Sequence, residues 1–366
     1  MRPSTGDLDV LVVCPTPTGG HMEQAAELAL AAAALGKRVG IATRPGAIDD
    51  LPAAVPAVVE VLEVLPPLPP RGGALGYAGP LIREHGRLRR LSRRLAPGAV
   101  VAVEEPRYPF ARAIVRGGRR DVRVVGLLHN AIDHAAGSRR SVDRVRQAIA
   151  ARFARSADSV VVHGERQAEV VRAAGIESVR VLRLPTFGRL HVQDQAAIPS
   201  HAACLGELRP NKGIEIAIAA ARAGGAELVV AGAPIDDGYL AELQALAAAA
   251  PSVTLIPGFM SGGELDARTR GAGMVVLPYA SFAAQSAILG RAMHAGTFVV
   301  CSDLPSLREQ LGAYSRVAFF PPGDVAALAA LLTVSREPPT AGDADGGDAH
   351  DYADWARYAD AVVNGR

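Results

Sequence analysis

The chain has 366 residues, 49% of them apolar, and a formal net charge of +2, enough for two ordinary domains with buried cores. No apolar run reaches the ~20 residues of a bilayer-spanning helix. The start, Met1 to Asp9, lacks a basic segment followed by an apolar core, so no secretory leader is expected. Cys14, Cys204 and Cys301 each sit in an apolar run, which argues against a disulfide framework and for a reducing, cytoplasmic setting. The small net charge conceals an asymmetry. Residues 1–190 carry 28 basic and 18 acidic side chains, residues 191–366 carry 11 and 19, so the two halves are expected to meet different partners.

Asp9 to Cys14 is an apolar run of strand length. It is followed by a turn ending in Gly19-Gly20 and by helical spacing from His21 to Leu35. With the strand expected over Arg38 to Thr43 this makes a βαβ unit and hence a parallel sheet. Ligands of such sheets bind at the carboxyl ends of strands, which puts Gly19 and Gly20 beside a cleft. Val58 to Leu65 predicts a strand, and Pro66 to Gly73 an exposed loop. Pro80 to Leu95 predicts a helix in which Arg83, Arg87, Arg89, Arg90, Arg93 and Arg94 alternate with leucines. Such a helix either carries a solvated outer face or lies on an anionic membrane surface. Strands at Ala99 to Val103 and Arg123 to Leu128 follow, the second ending at His129. A histidine there either contacts a ligand hydroxyl and shuttles a proton or bonds a neighbouring backbone group. Ser141 to Ser156, Ala157 to Gly164, Glu165 to Ala174 and Val179 to Leu184 predict helix, strand and turn, helix, and a closing strand.

The second half repeats the alternation, with strands over 202–206, 226–231, 252–256, 273–277, 297–301 and 316–319. The helices between them fall at 212–224, 238–250, 261–271, 284–295, 304–311 and 323–333. Its first strand runs into Gly206-Glu207-Leu208-Arg209-Pro210-Asn211-Lys212-Gly213, then an apolar-periodic segment from Ile214. Gly206 permits a tight turn, and Arg209 and Lys212 stand near a helix N-terminus that already favours an anion. Two cations there suit a diphosphate; the same residues also fit a strand-to-helix turn with two solvated charges. The Asp-x-Asp triplets Asp7/Asp9 and Asp343/Asp345 lack a metal-site context, and no Cys/His cluster has zinc spacing, so no metal is expected.

The run from Gly206 to Gly213 resembles the phosphate loop of family 4 GT-B glycosyltransferases, Gly-Arg-x-x-x-x-Lys-Gly, with Glu207 in place of the usual Arg and Arg209 as the second cation. The resemblance continues through Val253 to Phe259, Val275 to Tyr279, Ala292 to Gly296 and Asp303 to Glu309, and covers nearly the whole chain. It implies an α/β GT-B fold: two Rossmann-like parallel-sheet lobes facing a central cleft. The implied boundaries are an acceptor lobe over 1–190, a linker over 191–200 and a nucleotide-sugar lobe over 201–335. A mobile loop over 336–351 and a terminal helix over 352–366, returning to the first lobe, complete the chain. It further implies transfer, with retention and without a metal or cofactor, from a nucleoside-diphosphate sugar. Arg209, Lys212 and His129 are then catalytic. Gly206, Pro257, Gly258, Phe259, Ser286, Ala287, Arg291 and Glu309 lie at the donor, and Gly19, Gly20, His21 and Glu23 at the acceptor or phosphate.

One departure bears on activity. The family usually carries two glutamates eight positions apart before the Ala-Met-x-x-Gly segment, and here Ala283 and Arg291 stand in their places. Arg291 cannot accept a ribose hydroxyl hydrogen bond; pairing with Glu207 or Glu309 would make it structural. The alternatives to a transferase are therefore a catalytically degenerate relative that binds a nucleotide or a partner protein, and another GT-B activity such as an epimerase or phosphorylase. A Rossmann oxidoreductase is disfavoured because Gly-x-Gly-x-x-Gly is missing after the first strand. The acceptor expected is a lipid-linked saccharide or a natural-product scaffold, with peripheral membrane contact through 83–94 and no nucleic acid as partner.

Overall fold

A computed structural model describes residues 7–67, 74–103, 121–129, 155–186, 196–334, 336–338 and 352–365. They divide into two compact units. One is drawn from residues 7–67, 74–103, 121–129, 155–184 and 352–365, the other from 185–186, 196–334 and 336–338. The expected helix over 141–156 as far as residue 154, the residues after His129 up to His134, residues 187–190 at the end of the expected first lobe, 191–195 of the expected linker, and 339–351 of the expected loop lie outside the described residues.

In the first unit β1 (Val10–Val13), β2 (Val39–Thr43), β3 (Glu60–Glu63), β4 (Ala99–Val103), β5 (Arg123–Leu128), β6 (Ser159–Val162) and β7 (Val179–Val181) form one sheet of order β3-β2-β1-β4-β5-β6-β7. Every pairing is parallel. Parallel strands are covered on both faces, so they are written as unbroken apolar runs such as Val10 to Val13, all buried. Around them lie α1 (Gly20–Ala34), the short α2 (Ala47–Asp50) and α3 (Ala54–Val58), α4 (Ala74–Leu95) and α5 (Glu165–Ala173).

α4 begins two turns before the expected Pro80 and runs through it. Its buried positions are Glu84, Leu88, Leu91, Ser92 and Leu95, one helical face, and the six arginines of 83–94 are all exposed. Ile82 lies off that stripe and is 72% exposed. Glu84 is buried because Arg44, at the carboxyl end of β2, reaches it at 2.6 Å and also donates to the Pro66 carbonyl.

The second unit holds β8 (Ser200–Leu205), β9 (Leu228–Gly232), β10 (Val253–Pro257), β11 (Ala272–Leu277), β12 (Phe298–Ser302) and β13 (Val317–Phe320), ordered β10-β9-β8-β11-β12-β13 and again all parallel. Its helices are α6 (Ile214–Gly224), α7 (Asp237–Ala248), α8 (Gly262–Gly271), α9 (Ala287–Ala295), α10 (Pro305–Leu311) and α11 (Val325–Leu332). Two separate apolar clusters pack this sheet, one containing α6, α7 and α11 residues, the other α9 and α10 residues. Cys14, Cys204 and Cys301 are all buried and none is in a disulfide, and burial pushes the Cys204 and Cys301 thiols up to about 12.

The last helix, α12 (Tyr352–Asn364), belongs to the first unit and packs on α1. Trp355, Tyr358 and Val362 are buried. Its last carbonyls are satisfied by arginines from the sheet: Arg123 donates to Val362 at 2.9 Å and Arg180 to Ala361 at 2.6 Å. Cations at a helix C-terminus also oppose its dipole. Both sheets change direction between their first and fourth strands, β1/β4 and β8/β11, and ligands of such sheets bind beyond the carboxyl ends of the strands at that point.

Candidate functional site

In the second unit the loop after β8 is sewn to the loop after β11. The Asn211 carbonyl accepts from the Ala280 amide at 3.0 Å. Gly213, at φ 61°, begins α6, and a Cβ there would stand 2.1 Å from the Pro278 carbonyl oxygen. Only glycine allows both that backbone and that approach. The segment Pro210–Lys212 is a single 3₁₀ turn, so α6 starts at Ile214 rather than at 212. Gly206, at φ 98°, is the other tight point. A Cβ on it would meet Ile288 of α9 at 3.2 Å and the Lys212 Nζ at 3.5 Å. The turn, the Lys212 ammonium and the first turn of α9 thus converge at Gly206.

Lys212 is half-buried, with its Nζ 5.9 Å from the centre of the Tyr279 ring. Among the described residues it has no ion-pair partner. Burial pulls its ammonium below the usual lysine range, against a raising field from Glu207, with Arg209 adding to the lowering. Arg209 is less available: its Nε lies 3.5 Å from the Glu207 carboxylate, and both side chains are substantially exposed. Pro257 ends β10, and Gly258 and Phe259 follow it; all three are exposed, Phe259 by 60%.

Ser286 is buried and caps α9 through Leu289 N–H at 3.3 Å, while its Oγ lies 2.9 Å from the Tyr279 hydroxyl. Its backbone is also occupied. The Gln310 amide accepts from Ser286 N–H at 2.7 Å and donates to the Ser286 carbonyl at 2.8 Å. Ser286 therefore shapes the start of α9, and Ala287 follows as the first helical residue. Glu309 is exposed on α10.

Arg291 corrects an expectation. It is 2% exposed and forms a buried ion pair with Asp266 of α8, with a longer contact to the Gly262 carbonyl at 3.4 Å. Asp266, on another helix, pairs with the charge; the pair joins α8 to α9, and the guanidinium is buried rather than open to a ribose. Tyr279 and Gln310 were missed as site-shaping residues. The run Val275 to Tyr279 was legible as a strand end, but a side-chain role for Tyr279 depends on a loop that folds back over it.

In the first unit Gly19 caps α1, with Gly20 and His21 in its first turn and Glu23 buried one turn on. His21 stacks on His129 with ring centres 4.9 Å apart, and His129 lies 5.0 Å from the ring of His163, which follows β6. Burial, reinforced by His21 and His163, holds the His129 imidazole well below the usual histidine range. His163, missed in the sequence except as a turn residue, is lowered to about 4 by burial.

The family model for glycosyl transferases group 1 matches residues 199–334, and that for the glycosyl transferase 4-like domain matches residues 19–186. The chain belongs to the group 1 glycosyltransferases. Solved structures show the GT-B fold of this transferase at low identity. Anabaena Alr3699/HepE, in complex with UDP and glucose, is 17% identical with a TM-score of 0.64, covering 98% of this chain and 95% of its own. Sucrose-phosphate synthase from Thermosynechococcus elongatus is 16% identical, TM-score 0.69, covering 97% and 94%. The α,α-trehalose 6-phosphate synthase from Burkholderia multivorans is 12% identical, TM-score 0.65, covering 98% of both. No curated protein sequence matches the transferase. Among the described residues no helix is long and apolar enough to cross a membrane.

Proposed function

We propose that this glycosyltransferase binds the diphosphate of a nucleoside-diphosphate sugar at Gly206, Lys212 and the start of α9, and passes the sugar to an acceptor hydroxyl. The observation that carries the reading is Lys212: a half-buried ammonium with no ion-pair partner among the described residues, beside a glycine whose missing Cβ lets the ammonium and the start of α9 close on the turn. A desolvated cation is stabilised by an anion brought to it. As the bond from the anomeric carbon to the diphosphate oxygen breaks, negative charge grows on that oxygen, and a fixed cation stabilises it without reorganising. Arg209 adds a second charge once it exchanges Glu207 for phosphate. With cations supplied by the chain, transfer proceeds without a metal, and the family supports retention at the anomeric carbon. The first unit takes the acceptor near Gly19, Gly20, His21 and His129. The bound UDP-sugar components of Anabaena HepE support a uridine nucleotide as the first donor to try.

A binding test separates this from a degenerate relative. Lys212→Ala should weaken nucleoside diphosphate binding by about 1.5–3 kcal/mol, the range for charged hydrogen bonds. Arg209→Ala should cost less, about 0.2–1 kcal/mol, because Arg209 begins in an exposed ion pair. Calorimetry with UDP measures both, and turnover in EDTA tests metal independence. Unchanged affinity in Lys212→Ala would remove the proposed site. Tight binding of UDP-sugars without turnover over a broad acceptor panel would leave the second reading, a binding protein in which the Arg291–Asp266 pair has replaced a ribose contact.

A further inference from the structure

His129 is the first residue beyond β5, so the strand ladder does not fix its ring. A functional histidine is ordinarily aimed by the hydrogen bond its other nitrogen makes. Here the Nε2 is buried and has no hydrogen-bond partner among the described residues. That leaves the Nε2 for a ligand, and the groups packed around the ring are specific.

The Gln167 side-chain amide, on α5, donates to the His129 carbonyl at 3.2 Å and holds its backbone. The His163 ring lies 5.0 Å away at 37°. His163 is itself fixed, because its Nδ1 lies 3.0 Å from the Leu182 carbonyl, a partner that can only accept and so keeps the proton on Nδ1. Behind it stands Tyr358 of α12, ring centre at 6.0 Å. Tyr358 is locked by Gln24 of α1, whose amide donates to its hydroxyl at 3.2 Å, and by the edge-on Trp355 ring at 5.4 Å. All of these groups lie in the first unit.

We propose that His163 and Gln167 are positioning residues that aim His129 Nε2 at a ligand hydroxyl, with Tyr358 of the C-terminal helix as the wall behind them. This rests on the reading of His129 as part of the acceptor site. A buried nitrogen without a hydrogen-bond partner costs free energy until a ligand supplies one, the His129 Nε2 has none among the described residues, and a hydroxyl, both donor and acceptor, satisfies either tautomer of His129. The lowered basicity of His129 keeps it a neutral acceptor at physiological pH.

The test uses the full-length protein and two near-isosteric variants. His163→Phe keeps a ring but loses the bond to Leu182; Gln167→Met keeps length but loses the amide. Histidine NMR, with His129 assigned by its loss in His129→Gln, reads the ring directly. Expected are a higher titration midpoint for His129 in His163→Phe and a changed His129 nitrogen shift, reporting a shifted tautomer balance, in Gln167→Met. Expected with these is a roughly tenfold lower kcat for UDP-sugar turnover over pH 5–8 at unchanged UDP affinity. Melting temperatures identify variants that fail to fold, and Gln167→Glu, which retains the length but not the donor, then replaces Gln167→Met, as His163→Tyr replaces His163→Phe. His129 resonances and kcat indistinguishable from wild type would overturn the proposal. If the wild type binds no nucleotide and turns over no donor, the functional reading fails, while the NMR arm still decides whether His163 and Gln167 position His129.

Discussion

The two units use one topology for opposite chemistry. In each, a parallel sheet turns about its first strand, and a glycine-bearing loop leads from that strand into a helix. After β8 the loop presents Lys212 and Arg209 beside Gly206. After β1 it presents His21, stacked on the half-buried His129. A charged cation suits a phosphate whatever the pH of the cell; a neutral imidazole suits a hydroxyl and can take its proton. Glycine and strand order provide the place, and under the proposed function the side chain set beside it decides which half of a transfer reaction the unit serves.

The largest way to break the comparison is through what the units share. Each buries one arginine on a carboxylate, Arg44 on Glu84 in the first and Arg291 on Asp266 in the second. Glu84→Ala and Asp266→Ala should each cost about 3–5 kcal/mol, because each leaves a buried guanidinium without its carboxylate. Urea unfolding followed by a probe in each unit should show the loss in the unit mutated. A loss below about 1 kcal/mol in either would mean that the pair is solvated in solution.

A smaller effect sharpens the difference in pH response. The folded His163 sits at about 4 against 6.5 for an ordinary histidine, and burial is the cause. Its contribution is intact above pH 6.5, where both states are neutral. It is lost as pH falls from 6.5 towards 4, because only the unfolded state takes the proton. The loss amounts to about 3 kcal/mol at 1.36 kcal/mol per unit. His163→Phe should flatten the stability curve of the first unit by that amount over the same window, measured against wild type so that carboxylate titrations cancel. A parallel curve would show that His163 is solvated or partnered differently in solution.

The smallest effect concerns surfaces. The exposed arginines of α4 put a basic face on the first unit, whereas residues 191–366 are net acidic. Sedimentation with anionic vesicles should show weak binding that disappears as salt shortens the screening length from about 10 Å towards 3 Å. Replacing Arg89, Arg90, Arg93 and Arg94 with Gln should abolish it. Retention of vesicle binding by that variant would move the membrane contact elsewhere, and no binding by wild type at low salt would favour a soluble acceptor.

Much of the second unit's site is legible in the amino-acid sequence. Gly206, Lys212 and Gly213 sit within eight residues, and a strand followed by a helix leaves little freedom for what lies between. The helix face of α4 is less so. Its arginines are legible as a charged face, but the buried Glu84 is not, because its burial depends on Arg44 from another strand. Arg291 fails for the same reason. Its partner, Asp266, is on a different helix, and two acids closer to the loop, Glu207 and Glu309, look equally able to take the charge. His163 has no signal beyond a strand end, and its meaning comes from rings contributed by β5 and α12.

The amino-acid sequence by itself determined the alternation of strand and helix, and with it two parallel sheets, since apolar runs of strand length joined by helices have few other ways to bury both faces. It also determined where glycine must stand, because backbone conformation is a local property. Tertiary structure alone decided which charges meet. Asp266 pairs with Arg291, Lys212 has no ion-pair partner among the described residues, and His129 after β5, His163 after β6 and His21 of α1 come within stacking distance. Those outcomes depend on distances between segments far apart in the chain, and electrostatic and hydrogen-bond energies fall off too steeply with distance for spacing along the sequence to reveal them.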